Sequence, residues 1–162
     1  KMISNEIQKL LSNITKSLTK VDVKDLEAFI SGEFTHVTNI DFHRYEISHR
    51  DVINVKFSLS SFRGAFIVQR SFTNCNFVNC SFIATMFSNT RFTNCTFTDC
   101  VFRAMHIEDN VIRNCTFKNC YIENNLFSYV IGVSDIDDGI NYEEIVFTQD
   151  TWLDILNNKT HD

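Results

Sequence analysis

The residues best suited to chemistry in this chain are six cysteines, at positions 75, 80, 95, 100, 115 and 120. Thiols in this number suit a soft metal, disulfide pairing or electron exchange. They stand as Cys-x4-Cys, however, whereas structural zinc sites draw on Cys-x2-Cys. The cysteines recur every twenty residues and make two ladders: Cys75, Cys95 and Cys115, then Cys80, Cys100 and Cys120. If equivalent positions stack in register, the side chains run parallel, and the Cβ atoms stay farther apart than the ~3.5 to 4.5 Å a disulfide prefers. The expectation is reduced thiols packed as small hydrophobes, with no metal and no cofactor. His36, His43 and His49 lie close in sequence but without regular ligand spacing, and no nucleophile can be placed beside any histidine. The acidic run Asp135-Ile136-Asp137-Asp138-Gly139 has some features of a calcium loop, but its glycine is fifth and its twelfth residue is Val146 instead of Glu. A solvated turn is the simpler reading. With four glycines in the whole chain there is no phosphate-cradling loop, and no catalytic residue is proposed.

The elements that position the cysteines come from a repeat. An apolar residue stands at every fifth position: Val37, Phe42, Ile47, Val52, Phe57, Phe62 and Ile67, then Phe72, Phe77, Phe82, Phe87, Phe92, Phe97 and Phe102, then Ile107, Ile112, Phe117, Ile122 and Phe127. The series stops at Gly132. Period five fits neither a helix nor a strand, so the chain must turn a corner about once per repeat. The twenty-residue cysteine period makes four repeats per coil, a square. The 95 residues from Val37 to Ile131 then give nearly five coils and a rod about 23 Å long at ~4.8 Å per coil.

Three segments carry the motif most clearly: Phe72-Thr73-Asn74-Cys75-Asn76-Phe77-Val78-Asn79-Cys80-Ser81-Phe82, the equivalent stretch from Phe92 to Phe102, and that from Ile112 to Ile122. In them the chain resembles the pentapeptide-repeat family, in which a large apolar centre and a small residue two positions earlier both point inward. The resemblance implies an all-β solenoid, a right-handed quadrilateral β-helix, in a family whose members mostly bind other macromolecules. The fit is uneven. One face places Arg50, Arg70, Thr90, Asn110 and Val130 at the small inward position, and two stacked arginines cannot both be buried without partners. Part of that face is expected to bulge or open. The neighbouring face carries Tyr45, Ala65, Thr85, Met105 and Asn125 there, again larger than the ideal.

A solenoid exposes a strand edge and core at each end and needs caps. Three regions are expected: a helical cap over 1–32, the repeat over 33–131, and an acidic loop with a C-terminal helix over 132–162, together one structural domain. Ile3, Ile7, Leu10, Leu11, Ile14 and Leu18 fall on one helical face, and Leu26, Phe29 and Ile30 repeat the pattern in a shorter helix ended by Gly32. Both helices are expected to lid the first coil. A last helix from Thr151 presents Trp152, Ile155 and Leu156, to cap the last coil or to join two subunits as a homodimer.

Composition agrees with this organisation. The chain has 162 residues, of which 16 are Phe and none is Pro, and a formal net charge of -5. Residues 1–50 sum to zero, residues 51–131 to +2 and residues 132–162 to -7, so the acidity belongs to the tail and not to the rod. No stretch is long and apolar enough for a membrane span, and the start is amphipathic instead of the apolar run of a cleavable signal peptide. A cytoplasmic protein, or a bacterial effector secreted into a host cell, is the expectation.

What remains is surface. The residue before each large apolar centre should face solvent, and on one face these are Phe66, Met86, His106 and Leu126. Stacked in line on a polar rod they form the candidate partner-binding stripe, unless a terminal helix folds back over it. The outward bases Arg63, Arg91, Arg103, Arg113 and Lys118 are scattered among Asp99, Glu108, Asp109 and Glu123, which does not suit nucleic acid. The expected function is a non-enzymatic adaptor or regulator that shows a rigid surface to a protein partner. The resemblance also implies an alternative, a DNA mimic that binds DNA gyrase and confers quinolone-type resistance, although mimicry needs carboxylates along the rod. Ice binding would need threonine ladders, and Thr73–Thr93 and Thr96–Thr116 do not extend beyond two rungs.

Overall fold

A five-residue period keeps its apolar residue inside only if the backbone bends at the same point of every repeat. In the computed structural model, which describes residues 2–31, 33–48, 51–123, 128–131, 133–136, 139–142 and 144–150, the bend lies two residues after each centre. Fifteen non-glycine residues there have φ between 47° and 61°, and Gly64 has 65°. Ten of the fifteen are Asn or Asp, the side chains that best tolerate the left-handed region. From Asn39 to Asp99 the described corner amides are satisfied by the next coil: Asn74 N–H donates to Thr93 O at 3.0 Å, and Thr96 N–H donates back to Cys75 O at 3.0 Å.

The result is a β-solenoid of about four turns with two helices. Parallel strand partners stand one coil apart, with Phe57 opposite Phe77, Ile67 opposite Phe87, Phe72 opposite Phe92 and Phe82 opposite Phe102. Four stacks of short strands follow. Stack A is centred on Val37, Phe57, Phe77, Phe97 and Phe117. Stack B is centred on Phe42, Phe62, Phe82 and Phe102, stack C on Ile47, Ile67, Phe87 and Ile107, and stack D on Val52, Phe72, Phe92 and Ile112.

The centres from Val37 to Phe102, together with Ile112 and Phe117, are buried. Rings stack along the rod, as in Phe62–Phe82 at 4.8 Å and 3° or Phe77–Phe97 at 4.9 Å and 5°. They meet edge-on between stacks, as in Phe77–Phe82 at 5.7 Å and 67°. The first coil pairs in full register with the second, so the larger residues near its corners do not interrupt the winding.

The two helices do different things. Helix α2, Val23–Ile30, puts Leu26 and Ile30 into the core cluster. It also resolves the arginine problem on stack D. Arg70 is 1% exposed, its Nη2 donates to Ile30 O at 2.6 Å, and Glu27 Oε1 lies 3.9 Å away. The oversized Tyr45 donates its hydroxyl to Glu27 Oε2 at 2.8 Å. The stack therefore does not open at Arg70, as its sequence position led one to expect, because carboxylate and helix-terminal carbonyl supply the buried cation with partners. Arg50 and Gly32 lie outside the described residues.

Helix α1, Met2–Ser17, does not share that position at the end of the coil. Its Leu11, Ile14 and Thr15 line one cavity with Ser61, Ser81 and Ile83, so it lies along the outside of stack B. The connection explains why. Thr19 pairs in parallel with Ile40, its amide donating to Asn39 O at 2.6 Å, which fixes the exit of α1 at the edge of stack B.

The C-terminal end also departs from the expected form. Parallel winding stops at Glu123, and Ser128–Ile131 returns antiparallel against Cys120–Glu123. The regular apolar spacing reaching Phe127 overstated the solenoid, which has about four turns and not nearly five. Within the expected acidic loop, Val133–Ile136 and Gly139–Tyr142 pair as antiparallel strands. Glu144–Asp150 then pairs antiparallel with Val111–Lys118. The physical reason is the last coil's edge, whose free N–H and C=O groups have no further coil to meet and take an antiparallel strand instead. The expected helix with Trp152, Ile155 and Leu156 lies outside the described residues.

Candidate functional site

The inward cysteines line the interior of the coils. All six are free and buried. Cys95 Sγ–H points at Phe72 O and Thr93 O, 3.3 and 3.4 Å away, and Cys100 Sγ–H at Phe77 O and Thr98 O with the same distances. Thr85 and Thr90 do the same on stacks C and D, donating to Phe62 O at 2.7 Å and Ile67 O at 2.9 Å. A small inward donor thus satisfies a carbonyl of the preceding coil on every stack. Hydrogen bonding among the thiols of Cys115, Cys75 and Cys95, together with burial, pushes the Cys95 thiol far above its ordinary range. Burial first, then the Cys120 and Cys80 thiols, does so for Cys100. A thiol held in this way is a poor nucleophile.

Other candidate chemistry does not assemble among the described residues. No group of three or more His, Cys, Asp or Glu side chains there could hold a metal ion. His36 Nε2 meets Ser58 Oγ at 3.3 Å, and His49 lies outside the described residues. Arg63 and Arg91 are exposed on different stacks, while Asp99 Oδ1 accepts the Asn119 amide at 2.6 Å, a bond between corners of successive coils.

The stripe of outward residues on stack C does assemble. Phe66 is in register with Met86, and Met86 with His106; Glu46 precedes Phe66 in the same column. Phe66 is 43% exposed, Met86 half-buried and His106 exposed. Leu126 lies outside the described residues, and α1 lies on stack B, so it is not the element that covers the stripe.

Beside the column runs a groove of about 540 Å3 lined by Arg44, Gly64, Phe66, Ala84, Met86 and His106. Its floor is the corner between stacks B and C, which reads Arg44, Gly64, Ala84 and Ala104, whereas the corner between D and A reads Asn54, Asn74, Asn94 and Asn114. Alanine gains no local hydrogen bond from its side chain to offset a left-handed backbone, so Ala84 at φ 54° and Ala104 at φ 52° hold their corners at some cost. What they provide is space. The positional contrast is visible in the sequence once the corner is located two residues after each centre, a signal that apolar periodicity does not use.

These features define a β-solenoid built from five-residue repeats, with its distinctive chemistry on the outside. The family model described as pentapeptide repeats (8 copies) matches residues 71–103, the most regular part of the rod, so this part of the chain consists of pentapeptide repeats, a repeat type whose proteins are usually non-enzymatic. No curated protein matches the sequence. Among the described residues, no helix is long and apolar enough to cross a membrane.

Proposed function

We propose that this protein is a non-enzymatic interaction module: a right-handed, quadrilateral rod, closed by α2 at its first coil, that docks a protein partner along the groove of stack C. The observation that carries this reading is the in-register column Phe66, Met86, His106 beside the small corner residues Gly64 and Ala84. Covering ~100 Å2 of such apolar surface contributes about 2.5 kcal/mol. Stacked strands fix the column in advance, so little entropy is lost when a partner orders against it. Arg44 and His106 at the groove's margin favour a partner whose apolar anchor is flanked by carboxylates. An adaptor, regulator or bacterial effector working in the cytoplasm, its own or a host's, is the role this surface suits.

Acidic mimicry of nucleic acid is the weaker reading. Asp51, Asp99, Glu108 and Asp109 occupy different stacks and corners of the rod and form no column.

The test is affinity capture with the intact chain and with Met86→Asp, followed by identification of the bound protein. A partner retained by the wild type and lost from a variant of unchanged melting temperature supports the reading. Identical retention by both removes the stripe as the docking surface.

A further inference from the structure

Each stack of the solenoid ends in a strand with no further coil to meet, and on three of the four an antiparallel strand of this chain takes that place. Glu144–Asp150 lies along the ends of stacks A and D, and Ser128–Ile131 along the end of stack B. His106–Glu108, the last strand of stack C, has no strand on its outer side among the described residues. His106 N–H donates to Thr85 O and Glu108 O accepts from Asn89 N–H, both at 3.0 Å and both toward the preceding coil. The N–H and C=O of Ile107 between them therefore face the other way. Winding does not supply their partner, because Ser128 already stands antiparallel to Glu123 on stack B. What arrives near this edge is the strand 144–150. It keeps one register through the bend at Asn114, pairing Cys115 with Phe147 and Ile112 with Asp150, and it runs from stack A to stack D, toward the corner at Asp109 that leads to stack C.

We propose that the outer edge of His106–Glu108 is a strand-docking site, and that its occupant is this chain's own residues 154–156, paired antiparallel as a continuation of the strand 144–150. Carried on unchanged, the register sets Trp152 opposite Asn110, Asp154 opposite Glu108, Ile155 opposite Ile107 and Leu156 opposite His106. Asn110 is buried, and Ile107 is in register with the buried Phe87, so two inward places of the repeat fall to Trp152 and Ile155. Phe147 and Ile145 stand opposite the buried Cys115 and Phe117 in the same way, and Asp150, opposite Ile112, is the exception in that series. The three-residue step from Trp152 to Ile155, which suits a helix in isolation, is also the step from Asn110 to Ile107. On the outer face Leu156 prolongs the column of Phe66, Met86 and His106, whereas Asp154 meets Glu108, a like-charged pair that weakens the seating. Pairing gives the edge a partner for its backbone groups, which a bare strand end lacks.

Hydrogen exchange of the full chain, read residue by residue by NMR, tests the pairing. The Ile107 and Ile155 amides should exchange at least about tenfold more slowly than in the unfolded chain, the protection expected of one net backbone pair. Ile155→Asp should return the Ile107 amide to the unfolded rate while the Phe87 amide, one coil inside, keeps its protection. Asp154→Lys, which turns the like-charged pair into an opposite one, should slow both amides about two- to fivefold further. The proposal is overturned if Ile107 exchanges at the unfolded rate in the wild type, if its protection survives Ile155→Asp, if Asp154→Lys does not slow exchange, or if protection falls on dilution, which would make the strand a second copy's.

Discussion

Stacks B and C share the same coils and a common corner, yet their outward residues meet opposite fates. On B, Ser61, Ser81 and Val101 are 7%, 3% and 0% exposed, although each precedes an inward phenylalanine and by the repeat rule should face water. On C, Phe66 is 43% exposed at the equivalent position. Small residues, two of them serines, are covered while a large aromatic is left open. In a solenoid the inward positions determine the winding, and the outward positions are free to be matched to whatever lies against them. On B that is α1, together with the cavity it encloses; on C it is the groove along Gly64 and Ala84.

If the two stacks differ only on the outside, their cores should respond alike. Phe82 on B and Phe87 on C are both buried and packed against each other, with centroids 5.8 Å apart. Phe82→Ala and Phe87→Ala should each cost about 3 to 5 kcal/mol in urea denaturation. A loss at Phe87 less than half that at Phe82 would show that the asymmetry reaches the interior. Ile14→Asp puts a charge on the underside of α1, where Ile14 is 2% exposed. It should cost about 2 kcal/mol and expose Leu10 to Leu18 to limited proteolysis, whereas Met86→Asp on C leaves that pattern unchanged. Unaltered cleavage in Ile14→Asp would mean that α1 is not held on stack B.

The interior differs between these stacks in one titratable respect. Behind B stand Cys80, Cys100 and Cys120, and behind C stand Ala65, Thr85 and Met105. Burial raises the Cys100 thiol well above 9.0, its ordinary value. The unfolded chain loses that proton near the ordinary value while the folded chain keeps it, so the stabilisation is complete below about pH 9 and declines as pH rises further. The slope is about 1.4 kcal/mol per pH unit for each such thiol. Urea midpoints compared at about pH 8 and about pH 10 should fall less in Cys100→Ala than in the wild type. Parallel declines would contradict a raised Cys100.

The winding was legible because nineteen consecutive apolar positions and a twenty-residue cysteine period leave a chain no other way to bury them. The column of Phe66, Met86 and His106 was legible for the same reason, since period five fixes which residues share a face. Long-range pairing was not. Arg70 reads as an error in the repeat until Glu27 and Ile30 are brought to it, and nothing local to Arg70 names them. The amphipathic pattern of α1 says that one face is buried but not against what, and its side placement is set by the bridge from Thr19 to Ile40. The end of the solenoid was misjudged because the apolar period runs on in the sequence past Glu123, the last described residue in parallel pairing, and the antiparallel partner that closes the last edge lies at 144–150.

The smallest expected effect separates stability from function most directly. Ala84 is exposed at φ 54°, where asparagine is better suited, and asparagine already occupies Asn74, Asn79, Asn89 and Asn94 in the same conformation. Ala84→Asn should therefore stabilise the fold by about 0.5 to 1 kcal/mol, measured as a rise in urea midpoint. The same side chain would project into the groove between Phe66 and Met86 and reduce capture of the partner. Gain of stability with loss of binding is the signature of a corner kept small for an occupant, because the fold alone gives no reason to retain alanine there. Gain of stability with full binding would assign the groove no role, and loss of stability would show that the alanine corner carries no strain to relieve.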